Sequence, residues 1–132
     1  MKYQQEIFLP FYWGDPAGVL FFGHAFAIAH QAFEGFVTSE LKISWIDWFQ
    51  NQEWVVPIRQ TEADFTHPLF PGKNCLVKMD IVEVRTSSFF IEYHLIQEGF
   101  LCCTLKTLHI FCNKSTGQKQ PIPAPIRKLF NS

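Results

Sequence analysis

Asp15 is the clearest candidate for a catalytic residue in the sequence, because it lies in a turn between two apolar segments. Trp13 precedes it, and the apolar run Val19–Phe22 follows it where a helix is predicted to begin. Apolar surroundings disfavour the charged form of a carboxylate and can tune it as a base. Free N–H groups at a helix start can hold a developing oxyanion, so this arrangement suits hydrolysis of an activated acyl group. The alternative is that an Asp before Pro, Ala and Gly only shapes the turn.

A histidine and a glutamate on the predicted helix form the second candidate pair. His30 and Glu34 lie one helical turn apart and share a face. His24 does not share that face, which argues against a helical metal pair. His30 falls on the predicted buried stripe between Phe26 and Phe33, so it either faces a ligand or is a hydrogen-bonded core histidine. The other histidines have no metal-ligand spacing and are interpreted as structural or surface residues: His67, His94 and His109.

A third group of polar residues lies between two predicted strands. Arg85, Ser87 and Ser88 offer a cation and two hydroxyls, which suit an anionic or amide-containing ligand. The alternative is a solvated turn. The sequence has no Gly-rich phosphate loop, no Gly-x-Ser-x-Gly elbow and no metalloprotease motif. It therefore gives little support to nucleoside triphosphate or serine-nucleophile chemistry, and no metal site is predicted.

The elements that must position these residues begin with a strand and a long helix. Alternating apolar residues from Tyr3 to Trp13 predict a strand with one buried face. The turn 14–18 ends it, because Pro and Gly supply turn dihedrals. Apolar residues then recur at three- and four-residue spacing, which predicts a helix of four to five turns with Gly23 near its start. Its predicted buried stripe consists of Phe26, Ala29, Phe33, Phe36 and Val37.

The rest of the chain is rich in strand-forming residues. Ser44 and Asp47 resemble a capping box that starts a short helical turn. Tight turns join the last three predicted strands, which indicates an antiparallel meander, and a short helix at 126–130 ends the chain. The predicted strands are Trp54–Thr66, Asn74–Arg85, Ser88–Gln97 and Phe100–Cys112. This order predicts an α+β fold in which a curved sheet wraps one long helix.

The composition limits the class of protein. With 132 residues, the chain fits a single domain over 1–132, and so short a chain gains from oligomerisation. Its 11 Lys and Arg against 12 Asp and Glu give neither a nucleic-acid footprint nor a basic membrane patch. No signal peptide and no apolar run of about 20 residues is present. Four cysteines without a Cys-x-x-Cys pair predict reduced thiols in a cytoplasmic protein.

Four segments together carry a family resemblance. The run 15–22, Asp-Pro-Ala-Gly-Val-Leu-Phe-Phe, resembles the active-site turn of hotdog-fold acyl-CoA thioesterases of the 4-hydroxybenzoyl-CoA thioesterase type. The segment 63–68 with Pro71 and Gly72 resembles that family's strand ending in an aromatic, a Pro and a Gly turn. Arg85-Thr86-Ser87-Ser88 resembles its Arg-x-Ser-Ser hairpin, and the Pro-rich segment before 126–130 resembles the approach to its closing helix. The order and spacing of these segments match the family across almost the whole chain.

This resemblance implies a fold, an assembly and a set of roles. The fold is the hotdog, a five-stranded antiparallel sheet around one long central helix. The assembly is a homodimer with active sites at the subunit interface, commonly paired into a tetramer. Asp15 takes the place of the family's catalytic acid, either attacking the thioester carbonyl or activating a water. The backbone N–H of Phe22, with that of Gly23, would hold the thioester oxygen, and no cofactor is required.

Two residues of the predicted helix, His30 and Glu34, change which acyl group is expected. Where 4-hydroxybenzoyl enzymes carry an acid that contacts the substrate phenol, this chain has His30, with Glu34 a turn later. That pattern is more similar to the 1,4-dihydroxy-2-naphthoyl-CoA hydrolases of quinone biosynthesis. The expected function is therefore hydrolysis of an acyl-CoA with a bulky or aromatic acyl group. The resemblance assigns the acyl slot to Trp13, Phe22, His30 and Glu34, and the CoA arm to Arg85, Ser87 and Ser88.

Two other functions remain open. One is a non-catalytic hotdog module that binds an acyl or aromatic ligand for another enzyme. The other is a hotdog dehydratase, whose sites pair a His with an acid in a pattern that this sequence lacks.

Overall fold

A computed structural model describes residues 1–131 of the chain. One 3₁₀ turn, Phe11–Trp13, stands between the first strand and the first helix. The helices are α1 (His24–Ser39), α2 (Trp45–Phe49) and α3 (Ala124–Phe130). The strands are β1 (Lys2–Phe8), β2 (Trp54–Val55), β3 (Ile58–Phe65), β4 (Asn74–Val84), β5 (Ser88–Gln97), β6 (Phe100–Ile110) and β7 (Cys112–Asn113).

Five strands form one antiparallel sheet in the order β1-β4-β5-β6-β3. The predicted meander of β4, β5 and β6 is confirmed. The turn between β5 and β6 has positive φ at both central residues, 52° at Glu98 and 81° at Gly99. Such turns match the twist of a hairpin, which explains the tight connection. With α1 packed on the sheet, the predicted α+β hotdog architecture is confirmed.

Three predicted strands are longer in the sequence pattern than in the structure. The first ends at Phe8 rather than Trp13, because the chain turns at Pro10, whose carbonyl accepts the Trp13 N–H at 3.1 Å. The second is divided at 56–57, where Pro57 has no N–H to donate to a ladder. The last is divided at Phe111. The separated pieces β2 and β7 pair as a second, two-stranded sheet.

The core lies between α1 and the inner face of the sheet. Most of the predicted helical stripe is buried there, but Phe26 is 37% exposed, so its predicted burial is wrong. Phe33 is the centre of the aromatic packing, with ring centroids 4.8 Å from His109 and 5.8 Å from Trp48. These contacts connect α1 both to the sheet and to α2.

Ser44 begins α2 as predicted, and its hydroxyl accepts the Asp47 N–H at 3.0 Å. Because helix starts leave N–H groups without partners, Ser44→Ala is expected to lower the free energy of unfolding by about 1 kcal/mol. Urea unfolding would measure the loss. Ser44→Asp is the matched control, since its carboxylate can accept the same hydrogen bond; an equal loss in both variants would contradict this role of Ser44.

All four cysteines are free and buried, as predicted. Burial raises the pKa of the Cys75, Cys102 and Cys103 thiols, so they stay protonated at neutral pH. Within residues 1–131, no helix combines the length and the hydropathy that crossing a membrane requires.

Candidate active site

Asp15 lies in a tight hairpin that joins the 3₁₀ turn to α1. Gly14 bridges Leu20, and the Asp15 N–H donates to the Val19 carbonyl at 2.8 Å. Its Oδ1 atom accepts the N–H of Ala17 at 2.9 Å and that of Val19 at 3.4 Å. Oδ2 has no hydrogen-bond partner in the described part of the chain. One carboxylate oxygen therefore shapes the turn, and the other is available for chemistry.

The start of α1 presents two backbone donors. The N–H of His24 donates to the Phe21 carbonyl at 3.0 Å, and that of Ala25 donates to the Phe22 carbonyl at 3.1 Å. The N–H groups of Phe22 and Gly23 have no acceptor among residues 1–131. A Cβ atom on Gly23 would lie 2.7 Å from the Phe21 ring, so glycine permits the close packing here. Two adjacent unpaired N–H groups are the donors that an oxyanion requires.

These two features border one cleft, which we call the reaction cleft. Its volume is about 390 Å³. Leu20 fixes one wall, because its N–H donates to the Leu69 carbonyl at 2.7 Å. The lining residues are Asp15, Val19, Leu20, Phe22, Phe65, Thr66, His67, Pro68 and Leu69. Asp15 and Phe22 thus share a cavity, whereas Gly23 lies beside it at the helix start.

A second cavity, which we call the inner slot, lies further along α1. Its volume is about 370 Å³, and it lies between residues of α1 and residues of β3, β5 and β6. The lining residues are Phe26, Ala27, Ala29, His30, Ile58, Thr61, Tyr93, Leu105 and Thr107. Phe22, just before α1, lines the reaction cleft and His30 on α1 lines the inner slot. On β3, Phe65 lines the cleft and Thr61 lines the slot, so the two cavities follow one another along α1 and β3. Four strand residues place them about 13 Å apart.

His30 borders the inner slot, but it is not as buried as the helical stripe predicted. Its side chain is 42% exposed, and its Nε2 lies 3.7 Å from Oε1 of Glu34, in the expected one-turn pairing. The rings of Phe33 and Phe49 lie 5.8 Å from the imidazole. Glu34 reaches the slot only through this contact with His30 and does not line the cavity.

Trp13 packs against the first residue of α1, His24, and lines neither cavity. Its ring stacks on His24 at 4.5 Å with an interplanar angle of 6°, and its carbonyl accepts the Phe21 N–H at 3.0 Å. In the single chain, its contribution is to hold the hairpin against α1.

Arg85, Ser87 and Ser88 lie at the opposite end of the sheet from Asp15. Arg85 pairs with Glu83 at 3.0 Å, and the Ser87 carbonyl accepts the Phe111 N–H at 2.8 Å. The ten residue steps of β4 span about 33 Å between the two ends. Within one chain, these residues do not reach the reaction cleft.

Four polar residues that line a cavity or are buried were not among the site residues predicted from the sequence, and two of them, His67 and His109, were interpreted as structural or surface residues. His67 lines the reaction cleft, and its Nδ1 lies 3.3 Å from the Leu101 carbonyl. Tyr93, Thr107 and His109 are buried on the inner face of β5 and β6. The two-residue alternation of the strands could have indicated that Tyr93, Thr107 and His109 are buried, because it places them on the same face as the apolar core residues.

His109 is held in its neutral form. Its ring stacks on Phe89 at 4.8 Å, and its Nε2 lies 2.8 Å from Oγ1 of Thr107. Burial, with a smaller contribution from the nearby His30, lowers the pKa of His109 to about 3. A histidine so placed serves as a hydrogen-bond partner and not as a cation.

This lowered pKa predicts a loss of stability in acid. The unfolded chain takes up a proton near pH 6.5, whereas the folded chain resists it until about pH 3, so the contribution of His109 is complete above pH 6.5 and is lost as the pH falls. We expect the free energy of unfolding to fall by up to about 1.4 kcal/mol per pH unit through this group. Urea unfolding between pH 7 and pH 4, at one protein concentration, measures the slope. His109→Gln should flatten it, and an unchanged slope in that variant would contradict the assignment.

Among residues 1–131, no group of three or more His, Cys, Asp or Glu side chains is arranged to hold a metal ion.

Comparison with known proteins gives a consistent result. The thioesterase-like superfamily matches residues 9–130 of the chain. A 1,4-dihydroxy-2-naphthoyl-CoA hydrolase of Rippkaea orientalis is 29% identical over 124 residues, which cover 89% of this chain and 87% of that protein. The hydrolase of the same name from Thermosynechococcus vestitus is 30% identical over 119 residues, with coverages of 89% and 81%.

A solved structure agrees in fold. The crystal structure of a 1,4-dihydroxy-2-naphthoyl-CoA thioesterase from Synechocystis superposes with a TM-score of 0.92 and 22% identity, covering 100% of this chain and 97% of that chain. The family match extends over nearly all of the chain and includes the Asp15 hairpin and every strand of the main sheet except β1. The protein therefore belongs to the thioesterase-like superfamily, and it is a thioester hydrolase with the hotdog fold.

Proposed function

We propose that this protein hydrolyses the thioester of aromatic acyl-CoA substrates, with 1,4-dihydroxy-2-naphthoyl-CoA as the reference substrate. One observation carries the proposal. Asp15, with its unpaired Oδ2, and Phe22, with its unpaired N–H group, line the same cleft, and the unpaired N–H group of Gly23 lies beside it. The names of the related hydrolases support the choice of acyl group.

The chemistry requires one acid and one oxyanion site. Asp15 either attacks the thioester carbonyl or takes a proton from an attacking water, and the N–H groups at the start of α1 stabilise the oxyanion. The carbon–sulfur bond then breaks, and the CoA thiolate leaves and takes up a proton. Water supplies the hydroxyl group of the released carboxylic acid. In the nucleophilic route, this water opens the acyl–Asp15 anhydride.

The inner slot supports a bulky acyl group. It follows the reaction cleft along α1 and β3, and most of its lining is apolar. An acyl group whose thioester lies beside Asp15 extends towards His30. A flat aromatic ring system fits a slot between a helix and a sheet, because both walls offer continuous contact.

A dimer would complete the CoA site. Strand β3 is an edge strand, and each of its eight residues is exposed or half-buried. Two copies related by a two-fold axis can pair their β3 edges antiparallel, which places Phe65 of one copy beside Ile58 of the partner subunit. Ile58 lies at the same end of the sheet as Ser88. Arg85, Ser87 and Ser88 of the partner subunit would then approach the reaction cleft, and two such dimers would form the expected tetramer.

The test is a thiol-release screen with short-chain, long-chain, benzoyl, phenylacetyl, naphthoyl and 1,4-dihydroxy-2-naphthoyl esters of CoA. We expect kcat/KM to be highest for the naphthoyl group, because its larger ring buries more apolar surface. Binding of these esters without thiol release from any of them would contradict the proposal and favour a non-catalytic binding module. A preference for long-chain esters would contradict the aromatic assignment alone.

A further inference from the structure

The inner slot is apolar except where the sheet presents hydroxyl groups. Tyr93 and Thr107 lie on its floor, and they are only 2% and 7% exposed. Thr61 on β3 is directly opposite Thr107 on β6, and it lines the same slot. Ligand sites that are mostly apolar use a few such polar groups to orient the ligand.

Thr107 is held by a buried hydrogen bond. Its Oγ1 lies 2.8 Å from His109 Nε2, and Tyr93 on the adjacent strand β5 lines the same slot. A threonine hydroxyl has one donor and two acceptor sites, so this contact leaves sites unused. The contact with His109 orients the Thr107 hydroxyl, and its unused sites are available to a ligand in the slot.

The distance of these hydroxyl groups from the reaction cleft determines which part of an acyl group they can contact. Thr61 and Phe65 are four strand residues apart, so the hydroxyls lie about 13 Å from the end of β3 that borders the reaction cleft. His30 borders the slot from the helix side. A group touched by Thr107 is therefore on the part of the acyl group that is distant from the thioester.

We propose that Thr107, held by His109, is a specificity-determining residue that hydrogen-bonds a hydroxyl group on the distal part of an aromatic acyl group. This inference depends on the proposed function for its substrate class. It assigns the discrimination between hydroxylated and unsubstituted rings to Thr107 on the sheet, in addition to His30 on the helix. An unsubstituted ring offers the buried Thr107 hydroxyl no hydrogen-bond partner, so it should bind less tightly.

The test is equilibrium binding of the free acids 2-naphthoate, 4-hydroxy-2-naphthoate and 6-hydroxy-2-naphthoate by calorimetry. Binding does not require hydrolysis, so it gives a result even if the thioesterase proposal fails. We expect the wild type to bind at least one hydroxy acid about tenfold more tightly than 2-naphthoate. Thr107→Val should abolish this preference and leave the affinity for 2-naphthoate unchanged. Thr107→Ser should keep the preference, because it keeps the hydroxyl.

A matched control comes from the same strand. Thr104→Val removes a hydroxyl from a half-buried residue of β6 that does not line the slot, and it should change neither affinity. If Thr107→Val fails to fold, Thr107→Ala also removes the hydroxyl and should abolish the same preference. Equal affinity of the wild type for all three acids would overturn the proposal, as would a preference that survives in Thr107→Val.

Discussion

Replacing Asp15 with asparagine is expected to lower kcat for aromatic acyl-CoA hydrolysis by about 10³-fold or more. Asparagine keeps an oxygen that can accept the Ala17 and Val19 N–H groups, so the hairpin should keep its shape. It removes the negative charge and the basic Oδ2 atom. Stopped-flow or steady-state thiol release measures the loss, and calorimetry with the same ester should show that its Kd changes little.

Glu6→Gln is the matched control for this prediction. Glu6 is an exposed carboxylate on β1, at the opposite edge of the sheet from β3, and it lines neither the reaction cleft nor the inner slot. It should retain wild-type kcat. Wild-type turnover in Asp15→Asn would eliminate Asp15 as the catalytic acid, whereas a large loss in both variants would indicate a general charge effect.

Replacing Phe33 with alanine is expected to have the largest effect on stability. Phe33 is 1% exposed and contacts rings on α1, on α2 and on β6. Removing a fully buried phenyl ring costs about 3–5 kcal/mol, because apolar contact is lost and a cavity remains. Domains of this size are stable by only about 5–15 kcal/mol, so the variant should unfold at a much lower urea concentration.

Phe26→Ala provides the comparison on the same helix. Phe26 is 37% exposed, so its removal should cost much less than that of Phe33. Urea unfolding of the two variants at one protein concentration gives the difference. Equal losses would show that Phe33 is not the centre of the packing between α1, α2 and the sheet.

The parts of the fold that depend on local pattern were predictable from the sequence. The three- and four-residue spacing of Phe33, Phe36 and Val37 identified α1, and the Glu98-Gly99 turn identified the β5–β6 hairpin. The position of β1 beside β4 was not predictable, because it depends on pairing between residues about 70 positions apart along the chain. The extra length assigned to the first strand arose because Phe11 and Trp13 continue its alternation by coincidence.

The candidate site divides in the same way. A turn followed by a helix start was enough to predict N–H donors near Asp15, and the family resemblance assigned these donors to Phe22 and Gly23. His67 was missed because its place in the reaction cleft is fixed by contacts with Leu101, 34 residues away. Thr107 was missed because its burial depends on how the strands and α1 pack together. His109 was interpreted as a structural or surface residue, and it is buried.

The central claim is that the reactive carbonyl lies between Asp15 and the N–H groups at the start of α1. The most direct measurement uses 2-naphthacyl-CoA, in which a CH₂ group between the carbonyl and the sulfur prevents hydrolysis. On titration into ¹⁵N-labelled protein, the account predicts that the amide proton of Phe22 or Gly23 moves downfield, as new hydrogen bonds to the carbonyl oxygen require. The same shift should occur in Asp15→Asn. Tight binding of the analogue that leaves both amide resonances in place would contradict the account.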